Sequence, residues 1–336
     1  MTRDFERDAW TDPLGRDIRC RHAVEIPVLG IRTRFESNAP VVVEIASDGL
    51  GQWSQVLDSA PVTDAGPVVV RVVVDEALGD VTHRRLIYRM PDAHRLLVTG
   101  PGVVATADAS RLHSVAHVAP ALVHDREHFR YAVLEALAMF HLSTLDRQPI
   151  HAAGLARDGH AVLMVGSAGV GKSTVTYAGL REGYRLLAED MVWVQLRDRF
   201  AIWGLAPRIQ LPVAAAQFFP ELQPLRPVVI SGGEEKLVVP VSPDLAVERG
   251  RVDAASVCLL SRGSARLPEL TRATPAEIAE TLGDLETGFD LFRETIGPAI
   301  DRLSRFPGWR LILTDDARDA VPQLHRLFRE LASGGG

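Results

Sequence analysis

Cysteine is nearly absent from this 336-residue chain: Cys20 and Cys258 are the only two, far apart. Two such residues build neither a disulfide framework nor a zinc site, so a reducing compartment is expected. No run of about 18 apolar residues occurs, which excludes a membrane-spanning helix by length. The first twenty residues, "MTRDFERDAWTDPLGRDIRC", are charged and lack the apolar core of a signal peptide, so a cytoplasmic location is expected. An excess of positive charge is missing as well. With a formal net charge of -6, the chain lacks the clustered cations of a general nucleic-acid or anionic-membrane binder. Lysine is the scarcest charged residue, two against 35 arginines, and one of the two is Lys172.

What is present reads as two domains, which the length allows. Residues 1–22 are polar and read as a flexible N-terminus. Residues 23–145 carry β-branched runs, "VVVEIA" and "VVVRVVV", between turn signals, and read as a small, mainly β domain ending in a helix over 126–145. Residues 146–332 alternate strand and helix patterns. "IHAAGLA" and "AVLMVG" predict strands joined by "RDGH", and a helix is expected from Lys172 to "EGY", where Gly183 caps it. "RLLAED" predicts a strand, "MVWVQL" and "FAIWGL" a hairpin, and "SVCLL" and "WRLILT" further strands. Helices are expected in "TPAEIAETLGDLETGFDLFRETI" and "DARDAVPQLHRLFRELA", and residues 333–336 form a flexible tail. The fold class expected is α/β, α+β overall.

Gly166, Ser167, Ala168, Gly169, Val170, Gly171, Lys172, Ser173 and Thr174 fit the phosphate-loop pattern G-x-x-x-x-G-K-[ST]. Backbone N–H groups of such a loop point at phosphate oxygens, and the helix that follows adds its positive end. Lys172 would reach the β- and γ-phosphates of ATP, and the Ser173 hydroxyl would ligate Mg²⁺. A planar guanidinium does not fit that cavity, which explains a lysine in an arginine-rich chain. Glu189 and Asp190 end the strand "RLLAED", 18 residues after Lys172. That short gap predicts a strand beside the phosphate-loop strand, delivering both acids to the phosphates. One acid would hold Mg²⁺ and the other would accept a proton from an attacking hydroxyl.

The stretch "IHAAGLARDGHAVLMVGSAGVGKST…LREGYRLLAEDMVWV" resembles the catalytic domain of HPr kinase/phosphorylase, and more closely its divergent relatives found with peptide-modification systems. The resemblance implies a P-loop mixed-sheet kinase domain of the HPr kinase / phosphoenolpyruvate carboxykinase type. It assigns the catalytic base to Glu189, the metal-binding partner to Asp190 and a histidine near the γ-phosphate to His151. The family's glutamate-containing signature after the hairpin is absent from "WGLAPRIQLP", where Arg208 stands and no carboxylate does. That loss argues for a substrate other than HPr and against the reverse phosphorolysis. Divergent members carry a lysine near "SGGEEKLVVPV", so Lys236 reads as a second cation for the γ-phosphate or substrate, against the alternative of an exposed strand-start lysine.

"HDREH", residues 124–128, formally matches an inverted zinc-protease motif but reads equally as an ordinary helix start, as "HSVAH" reads as structural. The leading expectation is an ATP- and Mg²⁺-dependent kinase that phosphorylates a serine of a peptide or protein. A kinase for a small-molecule alcohol, or a P-loop ATPase acting as a nucleotide-regulated binding module, would use the same site. A GTP switch is disfavoured, because the guanine-reading N-K-x-D signature needs a lysine that neither Lys172 nor Lys236 supplies. The partner is thus a peptide, protein or small-molecule hydroxyl acceptor, without nucleic acid or membrane, and a homo-oligomer is left open by the hexamer of the resembled family.

Overall fold

The computed structural model describes residues 18–51, 66–79, 81, 85–205, 208–230, 234–247, 250–263, 267–284 and 295–333. The chain is mixed α/β and divides into two compact units, Met1–Leu145 and Asp146–Gly336. Most of the N-terminal segment 1–22, and all but the first residue of the tail 333–336, lie outside the described residues.

The first unit is built on β1 (His22–Val28), β2 (Ile31–Ser37), α1 (Pro40–Leu50), β3 (Val68–Val74), β4 (Ile87–Asp92), β5 (Arg95–Gly100), β6 (Val103–Asp108) and β7 (His113–Val118). The helical stretches α2 (Pro120–His124), α3 (Arg126–Phe129), a π turn (Arg130–Glu135) and α4 (Ala136–Thr144) follow. Its seven strands lie in the order β1-β2-β3-β7-β6-β5-β4. "VVVEIA" is not the strand its β-branched residues suggested but the first part of α1. The buried residues Val42, Ile45, Ala46, Gly49 and Leu50 recur at helical spacing, and Pro40 sits in the first turn. Periodicity and packing of that stripe outweigh the local β preference of valine. The helix expected over 126–145 forms, with one wide turn at Arg130, whose buried guanidinium ion-pairs with Glu127 and Glu135. Asp125 leaves helical torsions between α2 and α3, so His124 and His128 do not share one helix face. "HSVAH" is β7, and its four-residue spacing covers about 13 Å of strand. Among the described residues no group of three or more His, Cys, Asp or Glu side chains could hold a metal.

The second unit runs β8 (Gln148–His151), β9 (Ala153–Arg157), β10 (His160–Val165), α5 (Lys172–Arg181), β11 (Arg185–Ala188), β12 (Met191–Gln195), β13 (Ala201–Gly204), β14 (Arg208–Pro212), β15 (Val228–Val229) and β16 (Glu235–Pro240). It continues with β17 (Arg251–Val252), β18 (Ala254–Arg262), β19 (Glu269–Ala273), α6 (Pro275–Asp284), α7 (Gly297–Ser304), β20 (Gly308–Leu313) and α8 (Val321–Ser333). A six-stranded mixed sheet, β11-β9-β10-β18-β20-β19, carries the core. In it β10 pairs parallel with β18 and β18 parallel with β20, while β9, β11 and β19 pair antiparallel with their neighbours. Leu155, Met164, Val175, Trp309, Leu324 and Phe328 belong to one buried cluster that joins this sheet to α5 and α8. Two smaller sheets, β17-β13-β12-β8 and β14-β16-β15, complete the unit.

Three expectations change here. "IHAAGLA" is broken at Ala152: β8 belongs to the four-stranded sheet and β9 to the six-stranded one. The strand carrying the acids is not beside the phosphate-loop strand, because β9 lies between β11 and β10. The connection through α5 spans two strand positions, and a short sequence gap does not distinguish one position from two. Finally, of the long helix expected from "TPAEIAE", α6 holds the start and residues 285–294 lie outside the described residues; α7 was not expected. Among the described residues no helix is long and apolar enough to cross a membrane.

Candidate phosphate-loop site

The loop 166–171 leaves the end of β10, in the middle of the six-stranded sheet, and α5 begins at Lys172. Two glycines are required by its path. Gly169 has φ 76° and Gly171 φ 120°, a left-handed region that a side chain disfavours. At Gly166 a Cβ would stand 2.8 Å from the Leu260 carbonyl oxygen, so the loop can leave the sheet there only without a side chain. Ser167, Ala168 and Gly169 are exposed at the loop tip, whereas Val170 and Thr174 are buried.

Lys172 is 6% exposed, and its Nζ donates to the carbonyls of Gly166 (2.7 Å) and Ser167 (3.4 Å). Burial lowers its ammonium below the ordinary value, and the negative charge of Asp190 acts against that. A buried cation held by carbonyls at the mouth of a glycine loop fits a polyphosphate.

The acid pair reaches the loop from a seam between two sheets. β11 ends at Ala188 in the six-stranded sheet and β12 begins at Met191 in the four-stranded sheet, so Glu189 and Asp190 form the link. β8 and β9 change sheets at the same place, and the ladders match: Met191 pairs with His151, and Ala188 pairs with Gly154. His151 Nε2 therefore lies 2.9 Å from Asp190 Oδ1. The Ser173 hydroxyl donates to Glu189 Oε1 at 3.4 Å.

Burial pushes the Glu189 carboxyl up to about 8, and the Asp190 charge adds to the rise; the Gln210 backbone N–H, Arg208 and the Ser173 hydroxyl act against it. For Asp190 the surrounding protein also works to raise the carboxyl. The His151 hydrogen bond and charge, with Lys172 and Lys236, outweigh it and hold Asp190 below the usual carboxylate range. Two neighbouring acids are thus driven apart in proton affinity, the pattern that separates a proton acceptor from a permanently charged partner. The Ser173 hydroxyl and the Asp190 carboxylate are hard oxygen donors of the kind Mg²⁺ takes, with phosphate oxygens and water completing such a shell.

Arg208 and Lys236 come from the three-stranded sheet, on β14 and β16. Each acts on one acid, Arg208 on Glu189 and Lys236 on Asp190. Lys236 Nζ also pairs with Glu234 at 2.9 Å. The glycine-rich turn before it, residues 231–233, lies outside the described residues. Sequence reading passed over Gln210, because a backbone amide has no signature in residue type. Direct contacts join Lys172 to the loop carbonyls, Ser173 to Glu189 and His151 to Asp190, while Arg208 and Lys236 act on the acids through their charge.

No protein-family model matches the chain. HPr kinase/phosphorylase of Lactobacillus delbrueckii subsp. bulgaricus is 41% identical over 64 residues, 19% of this chain and 20% of that protein. HPr kinase/phosphorylase of Limosilactobacillus reuteri is 40% identical over 63 residues, with the same shares. The matched stretch spans about a fifth of the length of these curated relatives. The solved Hpr(Ser) kinase/phosphatase from Coxiella burnetii covers 55% of this chain and 99% of its own, at 15% identity and a TM-score of 0.29, too low to transfer an architecture.

Proposed function

From the premise of an HPr-kinase-like segment, we propose that this chain is an ATP- and Mg²⁺-dependent phosphotransferase whose acceptor is a hydroxyl, most simply a serine of a peptide or protein. The observation that carries the reading is the meeting of Ser173 and Glu189 beside the His151–Asp190 pair, at the mouth of the loop that holds Lys172.

In-line transfer needs positioning and charge neutralisation more than covalent chemistry from the protein. The loop amides and Lys172 would bind the phosphates, and Ser173 with Asp190 would hold the cation. Bound there, Mg²⁺ neutralises charge on the phosphate oxygens. Glu189, in its ionised form, would accept the acceptor's hydroxyl proton. His151 keeps the Asp190 carboxylate charged and oriented toward the cation. Lys236 and Arg208 add positive charge on the side of the three-stranded sheet, where the transferred group and its acceptor would sit.

The test is to incubate the full chain with ATP, Mg²⁺ and a panel of serine peptides, small alcohols or no acceptor, following nucleotide consumption and acceptor mass. Gain of one phosphate by a peptide, lost in Lys172→Ala while the variant keeps its circular dichroism spectrum, is expected. Transfer only to a small alcohol would move the acceptor class. ATP turnover that no acceptor changes would make the chain an ATPase, and activity retained in Lys172→Ala would overturn the site.

A further inference from the structure

The first unit carries a surface that the phosphate-loop reading does not use. His141 of α4 meets Ser114 of β7, so the residues that alternate with Ser114 point away from the helix, to the opposite face of the sheet. On that face Arg71 stands beside Val115, Val115 beside Thr106 and Thr106 beside Leu97, while Asp108 stands between His113 and Arg95. A cavity of about 950 Å³ opens over these strands. That volume lies in the range of ligand sites, roughly 300–1,000 Å³.

The cavity is basic in a chain whose formal net charge is -6: Arg71, Arg95, Arg111, His94 and His113 line it against Asp92 and Asp108. The two acids are tied into their own turns. Asp108 Oδ1 accepts from the Ser110 backbone N–H at 3.0 Å and from the Ser110 hydroxyl, and Asp92 Oδ1 accepts from the His94 backbone N–H at 2.9 Å. The Arg95 and Arg111 side chains are 66% and 74% exposed and reach these acids only at 3.3 and 3.8 Å. Exposed pairs of that kind are weak, so both guanidiniums can take an incoming carboxylate instead. Arg71 is fixed in place, held by Glu36 at 2.7 Å. Toward its other end the same face turns apolar, with Leu97, Val104 and Ile87 exposed around Thr99.

We propose that this face binds an acidic peptide segment, its carboxylates on Arg95 and Arg111 and its apolar side chains against Leu97 and Val104. Charge complementarity favours a peptide over a nucleic acid. A nucleic-acid strand carries a charge at every phosphate, and Asp92, Asp108 and Glu36 oppose an unbroken row of them. A peptide sets its carboxylates singly, and clustered arginines read acidic motifs in this way. The proposal goes beyond the phosphate-loop reading and stands without it; where that reading also holds, the bound peptide is the acceptor.

The experiment selects phage-displayed random peptides on the full chain without nucleotide, with counter-selection on Arg95→Glu/Arg111→Glu. Recovered peptides should combine acidic residues with leucine or valine. A fluorescein-labelled one should bind the unaltered chain about tenfold or more tighter than the variant, because opposed like charges are costly. Arg305→Glu/Arg326→Glu makes the same charge change at exposed positions of the second unit and should leave the affinity unchanged. An equal loss in that control would reduce the effect to net charge and refute the site. Should the first variant misfold, hydrogen exchange on the unaltered chain decides: the peptide should slow exchange in the turns 92–95 and 108–113, and protection confined elsewhere overturns the proposal. Selection without an acidic consensus, or peptides that bind both proteins alike, overturns it too. So does single-stranded RNA that binds through these arginines where no acidic peptide does. None of these outcomes involves Lys172, so the phosphate loop stands or falls separately.

Discussion

Acid should weaken the first unit through one histidine. His141 lies wholly buried on α4, with its Nε2 2.7 Å from the Ser114 hydroxyl and its Nδ1 without a hydrogen-bond partner among the described residues. A protonated ring would carry two N–H donors, one of them facing no acceptor. Burial, with the nearby charge of His113, accordingly lowers its pKa from 6.5 to about 4, and the Asp108 carboxylate only partly opposes this. The depressed value means that the folded protein binds this proton more weakly than the unfolded chain does. Stability is therefore fully present above about pH 6.5 and is lost as the pH falls toward 4. With those two values, linkage removes about 2 kcal/mol between about pH 7 and pH 5, and about 3 kcal/mol by about pH 4. Urea unfolding followed by far-ultraviolet circular dichroism at each pH measures the loss. Other groups titrate in the same window, so the comparison is with the double variant His141→Leu/Ser114→Ala, which removes the ring and its partner together. Its stability should depend on pH less steeply by the stated amount. Equal slopes for the two proteins would refute a buried neutral histidine at this position.

Two further outcomes concern the candidate site. Gly204 of β13 packs on Leu187, where a Cβ would come 2.6 Å from the Leu187 carbonyl carbon and closer still to its oxygen. Gly204→Ala should cost about 1–3 kcal/mol by forcing the backbones apart, and should reduce phosphate transfer because Leu187 lies two residues before Glu189; unchanged urea stability would contradict this packing. Lys236→Ala should lower phosphate transfer or ATP affinity and raise the Asp190 carboxyl, and a variant equal to the unaltered chain in both activities would return Lys236 to the role of a surface partner for Glu234.

The glycine loop was legible because its path constrains residue type directly: φ near 76° and 120° asks for glycine at 169 and 171. The acids were legible because they end an apolar run a short distance later. Less could be read where tertiary context decides. In α1 the run "VVVEIA" has strand-forming residues in a helical pattern, and only the sheet beneath it selects the helix. The break at Ala152 leaves no mark, since neither glycine nor proline stands there and both neighbouring segments are strands. Strand order was also hidden, because β9 enters between β10 and β11 through pairings that local spacing does not encode.

The seam where β8–β9 and β11–β12 change sheets together has a consequence for how the site can fail. His151 and Asp190 meet because Met191 stands opposite His151 in a backbone ladder, so main-chain hydrogen bonds set their distance. In such a ladder a one-residue slip turns every side chain to the other face. The histidine and its acid partner are thus gained or lost as a unit, giving this part of the site the cooperativity of a sheet rather than the tolerance of a loop.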